Sequence, residues 1–151
     1  LGIHSLREAT LEQLDANKAK LGDLCYRRAR HVVGENLRVG EFAKALAAGD
    51  WDAAGRAMRG SHASLRDDFE VSCAEVDTLV SLADTIPSAA AVYGARMTGG
   101  GFGGCIVALV KSDSVEQVAH EMLDAYRDAL GIETAYLVTR PGAGARILYQ
   151  A

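Results

Sequence analysis

Seven consecutive residues can meet a ligand with little more than backbone: Thr98-Gly99-Gly100-Gly101-Phe102-Gly103-Gly104. Five glycines in six positions are more than a simple turn needs. Glycine admits positive φ and brings the main chain against a ligand with no Cβ in between. Successive amides in such a loop can form a concave donor surface for an anion. The competing reading is a wide connection or tight packing point between two strands. At this density, beside an apolar strand, the ligand-binding reading is preferred. None of the seven side chains titrates near neutrality, so the loop can shape and brace a site but cannot serve as a general base.

The spacing also matches G-x-G-x-x-G at Gly99, Gly101 and Gly104. A dinucleotide fingerprint requires strand, turn and then helix, with the pyrophosphate at the helix N-terminus. Here the next segment, Ile106-Val107-Ala108-Leu109-Val110, reads as a strand. A protein-kinase lid would place a strand there, and Lys111 follows it, but the chain has no HRD or DFG and is too short for that fold. No Gly-Lys-Ser/Thr follows, which removes a Walker loop.

Other groups with chemical potential read as structural. Arg27, Arg28, Arg30, His31 and Arg38 form a basic helical stretch. It could bind phosphate, but with Glu35 four residues after His31 it is read as a solvated or inter-helix ion-paired face. His62, beside Arg66 and Asp67, is read as a packing or interface histidine. Cys105 opens the apolar strand and is expected to be a small buried hydrophobe. Trp51 is expected to anchor a helix start. The three cysteines, Cys25, Cys73 and Cys105, have no repeated spacing. That argues for a reducing compartment rather than a disulfide framework. Without CxxC or HExxH there is no support for zinc chemistry.

The elements that must position the loop follow from caps and periodicity. Ser5-Leu6-Arg7-Glu8 has the capping-box pattern and predicts a helix over about 6–20, broken at Gly22-Asp23. A longer helix is expected over about 24–48, mildly interrupted at Gly34 and Gly40 and stopped by Gly49. Asp50 should cap a third, over about 51–67. Ser72-Cys73-Ala74-Glu75 reads as a second capping box, with Val71 and Val76 as its hydrophobic staple. Val76, Leu79, Val80, Ala83 and Ile86 then form a helical apolar face that Pro87 ends. Strands are expected over 91–97, 105–110, 135–139 and 145–149, with a helix over 115–130. The expected class is α+β: a ferredoxin-like split βαβ antiparallel sheet packed with several helices. The helical part covers about 5–86 and the strand-rich part about 90–150.

The whole chain has 151 residues, enough for one domain with one real core. At 49% apolar and 24% charged it is an ordinary globular composition, and disorder is not expected. The net charge of −4 supplies no overall attraction to nucleic acid or anionic membranes. No apolar run approaches a bilayer span, and no signal peptide is read at the N-terminus. Beginning at Leu1 rather than Met, the chain reads as a processed product or a piece of something longer.

Gly94-Ala95-Arg96-Met97-Thr98-Gly99-Gly100-Gly101-Phe102-Gly103-Gly104-Cys105 resembles the third conserved motif of the galactokinases, within the GHMP sugar and metabolite kinases. Arg28-Ala29-Arg30-His31-Val32-Val33-Gly34-Glu35 resembles that family's arginine-rich helix. The stretch Ser61-His62-Ala63-Ser64-Leu65-Arg66-Asp67-Asp68-Phe69-Glu70-Val71-Ser72 resembles the segment before its next helix. Ser5-Leu6-Arg7-Glu8 matches near the start, and all four occur in the family's order. The Gly-Gly-Gly-Phe form is closer to the galactokinases than to the related N-acetylgalactosamine kinases.

The resemblance implies the C-terminal domain of a two-domain enzyme whose site lies in the cleft between domains. That enzyme phosphorylates galactose with MgATP. The family's sugar-binding signature, serine-rich phosphate loop and catalytic Asp and Arg have no counterpart here, so no catalytic residue is carried over. Thr98, Gly99, Gly100, Gly101, Phe102 and Gly103 are carried over as lining the nucleotide-binding cleft. ATP and Mg2+ are expected to be held mainly by an N-terminal kinase domain, the expected partner of this one. The chain alone is expected to be inactive and cytoplasmic. It is also expected to self-associate through the face that the other domain would cover. Two alternatives remain: a non-catalytic sugar-sensing or regulatory module, and a GHMP kinase with another small-molecule substrate.

Overall fold

The structure, a computed structural model, describes residues 1–145 and 147. The first α-helix is capped at Thr10 rather than Ser5. Thr10 Oγ1 accepts from the Gln13 N–H at 3.2 Å, and Gln13 Oε1 accepts from the Thr10 N–H at 3.0 Å. This closed capping box starts α1 (Leu11–Ala16). The Ser5-x-x-Glu8 pattern yields only a 3-10 turn (Leu6–Glu8), and the Ser5 side chain caps no amide. α2 (Lys18–Ala48) bends at Gly22, where φ is 71° and ψ 162°, as the Gly22-Asp23 break predicted. It passes through Gly34 and Gly40 without interruption and ends at Gly49 in the left-handed region.

Asp50 Oδ1 accepts from the Ala53 N–H at 2.9 Å and starts α3 (Trp51–Ser64). Its last turn widens into a π-helical turn (Leu65–Phe69), and Glu70 leaves it with φ at 58°. α4 (Ala74–Leu82) has no side-chain cap. The expected capping box fails because the Ser72 hydroxyl turns away from the helix start and donates to Asp77 Oδ1 at 2.6 Å. Val71 and Val76 do share one apolar cluster, with Leu65 and Met97. α4 stops at Leu82, four residues before the expected end at Ile86.

β1 (Val92–Thr98) and β2 (Cys105–Val110) pair antiparallel, with Thr98 opposite Cys105 and Met97 opposite Ile106. The register slips between the Val92–Val110 and Gly94–Leu109 pairs, leaving Tyr93 as a bulge. α5 (Val115–Leu130) follows, burying Val118, Met122 and Tyr126 at helical spacing. α4, α5 and the sheet enclose the main core: Val80, Ala83, Ile86, Ala91, Val92, Ala95, Val118 and Met122. α3 packs against β1 and α2 packs behind α3. The fold is α+β, and among the described residues the antiparallel sheet packed with helices has two strands, where the sequence suggested four.

Residues 135–139 form no ladder. The Tyr136 hydroxyl donates to Glu116 Oε2 at 2.6 Å and its ring meets His120 edge-on, so this segment is tied to α5 instead of the sheet. Leu137 is 90% exposed. A β-prone run becomes a strand only with a partner and a surface to pack on. Of the strand expected over 145–149, residues 146, 148 and 149 lie outside the described residues.

α3 meets β1 backbone to backbone. A Cβ on Gly55 would lie 1.6 Å from the Tyr93 carbonyl oxygen, and one on Gly94 would lie 2.5 Å from the Gly55 carbonyl oxygen. The bulge turns the Tyr93 carbonyl toward the helix, where Arg59 also donates to it. No side chain can yield to relieve that clash. Gly55→Ala is therefore expected to lose about 3 kcal/mol of stability. Gly40→Ala, in open space on α2, should gain up to about 1 kcal/mol. Urea melts of the two variants beside the parent check the pair.

Candidate functional site

The glycine loop joins β1 to β2 and lines an open cavity of about 420 Å³, bounded by residues 98–105. Gly99, Gly101, Gly103 and Gly104 have φ of 96°, 86°, 134° and 96°. Phe102 joins them at 61°, a left-handed conformation that a non-glycine residue adopts only when its surroundings hold it there. Its amide donates to the Val71 carbonyl at 2.7 Å. No other amide of residues 99–104 has a partner among the described residues. Gly99, Gly100 and Gly103 face open space where a Cβ would stand. The loop thus presents unspent donors with nothing to obstruct a close approach, which suits an anion. All six residues expected to line a ligand site, Thr98 to Gly103, border this one cavity.

The loop rests on Val71. A Cβ on Gly101 would stand 2.6 Å from the Val71 carbonyl oxygen and 2.9 Å from its Cβ. Val71 is held by the turn before it, its N–H donating to the Leu65 carbonyl at 3.0 Å. The basic stretch of α2 grips that turn. Arg27 and Arg28 both pair with Glu70, and each also donates to a backbone carbonyl, of Asp67 and Asp68 respectively. Arg30 pairs with the buried Asp68 carboxylate. His31 stacks on Phe69 with ring centres 4.4 Å apart, and its Nδ1 lies 3.0 Å from Ser64 Oγ, which donates to Asp68. The stretch is thus an inter-element ion-paired face, as expected. Glu35 pairs with Arg38 and Ser61 at 2.7 and 2.6 Å rather than with His31.

His62 sits under the loop, 4% exposed. Its Nδ1 accepts from the Met97 N–H at 3.3 Å. The neutral ring must then carry its proton on Nε2. That atom stands 3.1 Å from Asp77 Oδ1. The approach is off the hydrogen-bond axis and Nε2 has no other partner among the described residues, so the contact is chiefly electrostatic. The packing reading of His62 holds, and its partners belong to the loop's support. Asp77, which accepts from Ser72, was not singled out in the sequence. The Ser72-x-x-Glu75 spacing drew attention to the wrong carboxylate.

Cys105 is exposed and lines the cavity. The expectation of a buried thiol is corrected: the strand's first residue borders the open loop. Trp51 starts α3 as expected and lies 6.0 Å from the Tyr93 ring. Among the described residues no three His, Cys, Asp or Glu side chains are grouped to hold a metal ion. No described helix is long and apolar enough to cross a membrane.

The profile described as GHMP kinases C terminal matches residues 42–128. A galactokinase of Bos taurus is 48% identical over 149 residues, covering 99% of this chain and 36% of that protein. A galactokinase of Roseiflexus sp. (strain RS-1) is 46% identical over 143 residues, 95% of this chain and 36% of that one. The crystal structure of Lactococcus lactis galactokinase complexed with galactose superposes with a TM-score of 0.80 at 42% identity. It covers 88% of this chain and 34% of its own. The chain thus spans about a third of the length of the curated relatives it matches.

Burial pushes both His31 and His62 below the ordinary imidazole value of 6.5. For His62, Asp77 opposes this while Arg66 and Arg96 add to it. For His31, Glu35 and Asp68 oppose it and Arg38 and Arg96 add to it. Unfolded imidazoles take up protons near pH 6.5 while the native ones resist. Their contribution to stability is therefore complete above that pH and is lost as the pH falls toward the lowered native values. The melting temperature should fall between pH 7.5 and 5.5, with a shallower slope in His31→Gln. A flat profile in the parent would contradict the burial argument.

Proposed function

Because this chain belongs to the GHMP kinase family, through its C-terminal domain, we propose that it is the C-terminal part of an ATP-dependent galactokinase. It would supply the glycine-rich wall of a cleft completed by an N-terminal domain. The reaction transfers the γ-phosphoryl group of ATP to the anomeric hydroxyl of galactose, giving galactose 1-phosphate and ADP. The observation that carries this reading is the loop itself: the amides of Gly99, Gly100, Gly101, Gly103 and Gly104 are unspent, φ is positive at all of these but Gly100, and the approach is open at Gly99, Gly100 and Gly103.

Phosphoryl transfer depends mainly on positioning and on stabilising charge spread over phosphate oxygens. In this reading the amides of Gly99, Gly100, Gly101 and Gly103 and the Thr98 hydroxyl face that charge, while Phe102 uses its own amide to fix the loop. Backbone donors set in advance do not reorganise as charge develops. Among the described residues no group of carboxylates or imidazoles fits a Mg2+ site, so in this proposal the metal is held by the other domain. The base and the sugar-binding residues are also assigned to that domain. The chain alone is therefore inactive, and its exposed Phe102, 75% accessible, belongs to the face that the other domain covers. A reducing, cytoplasmic setting fits the three free cysteines.

Galactose 1-phosphate formation from MgATP and galactose tests the reading in three preparations: this chain, the N-terminal half, and both together. Activity is expected only in the mixture. Turnover by this chain alone would overturn the division of labour. A folded, associated but inactive pair would favour the sugar-sensing or regulatory alternative. Gly101→Ala should lower kcat/KM on the order of 100-fold, because the added Cβ displaces the loop from Val71.

A further inference from the structure

The support beneath the loop is a closed circuit. It runs from the Met97 N–H to His62 Nδ1, from His62 Nε2 to Asp77 Oδ1, and from that same oxygen to the Ser72 hydroxyl. Ser72 adjoins Val71, whose carbonyl holds the Phe102 N–H, and Phe102 returns through the loop to Met97. One carboxylate oxygen thus accepts from the hydroxyl beside the loop's shelf and lies against the imidazole that holds the end of β1. We infer that Ser72, Asp77 and His62 are positioning residues that set the glycine loop's shape for the phosphate-bearing ligand, although none of them borders the cavity. The inference rests on the proposed role of the loop as a cleft wall.

The arrangement is specific to this task. His62 is one face of α3 reaching β1, Asp77 is on α4, and Ser72 is in the connection between them, so three separate segments converge below the loop. Asp77 is not needed as a cap for α4, because it lies in the helix's first turn and its oxygen is taken by Ser72. The Met97 amide is the last one of β1 before Thr98 and is fixed from α3. Among the described residues, the shelf carbonyl of Val71 makes the one backbone anchor of residues 99–104. Loosening the circuit at Ser72 removes one restraint beside the shelf while leaving the Val71 N–H on the Leu65 carbonyl and the Leu65, Val76 and Met97 cluster intact.

The test uses two readouts. Amide hydrogen exchange in this chain reports the Phe102 anchor, and kinetics of the full-length kinase report its consequence. Ser72→Ala and Asp77→Ala should speed exchange at Phe102 by about three- to tenfold, the equivalent of one ordinary net hydrogen bond. The same variants should lower kcat/KM for MgATP by a similar factor, and Ser72→Thr, which keeps the hydroxyl, should restore both. Ser72→Ala removes one half-buried oxygen and no core side chain, so it reports even where Asp77→Ala fails to fold. Unchanged Phe102 exchange in Ser72→Ala overturns the circuit. Faster exchange with parental kinetics, in Ser72→Ala and Gly101→Ala alike, overturns the placement of the loop at the cleft instead.

Discussion

Two glycines meeting main chain to main chain set how far α3 stands from the sheet, and the other contacts near the loop depend on that distance. Gly55 and Gly94 make the crossing, and His62 and Met97 make a second contact farther along. The spacing is commensurate. Seven helical residues from Gly55 to His62 advance about 10 Å at helix rise. Three strand residues from Gly94 to Met97 advance about 10 Å at strand rise. Helix and strand therefore run side by side in step, and the imidazole arrives opposite the Met97 amide. A side chain at either glycine would lift the helix and take His62 out of reach.

The charged residues of α2 act through geometry more than through energy. Exposed ion pairs contribute little each, commonly below about 1 kcal/mol. Their arrangement around residues 67–70 is what matters: Arg27 and Arg28 each hold both the Glu70 carboxylate and a backbone carbonyl, and Arg30 holds the buried Asp68. A π-helical turn followed by a left-handed Glu70 is not a conformation that the local residues would hold alone. Gripping it from α2 delivers Val71 to one place. The arginine-rich helix and the glycine loop are far apart in sequence, yet they are joined by that single turn.

Much of this was legible in advance because it is local. Gly49 and Asp50 mark the α2–α3 junction by cap chemistry, and α5 follows from one apolar face between Ser114 and Gly131. The β1–loop–β2 unit is visible in the composition of residues 92–110. What escaped was tertiary. Ser72 had two carboxylates within reach, and its choice of Asp77 depends on His62 arriving from another helix. Thr10-x-x-Gln13 and Ser5-x-x-Glu8 show the same pattern five residues apart, and only the former closes into a box. The widened turn at 65–69 has no marker of its own. Residues 135–139 carry strand-like composition, but Tyr136 finds its partner on α5.

The hydrogen bond from Phe102 to Val71 also divides the loop's tolerance for changes in length. On one side of the anchor, Gly99 and Gly100 span open space, and the entropy of closing an arc grows only with the logarithm of its length. An inserted residue there enlarges a free arc at small cost. On the other side, an insertion between Gly101 and Phe102 puts a different amide opposite the Val71 carbonyl and rotates every donor that follows. Lengthened versions of this loop can therefore grow near residues 99 and 100, while the Gly101-Phe102 step must keep its count.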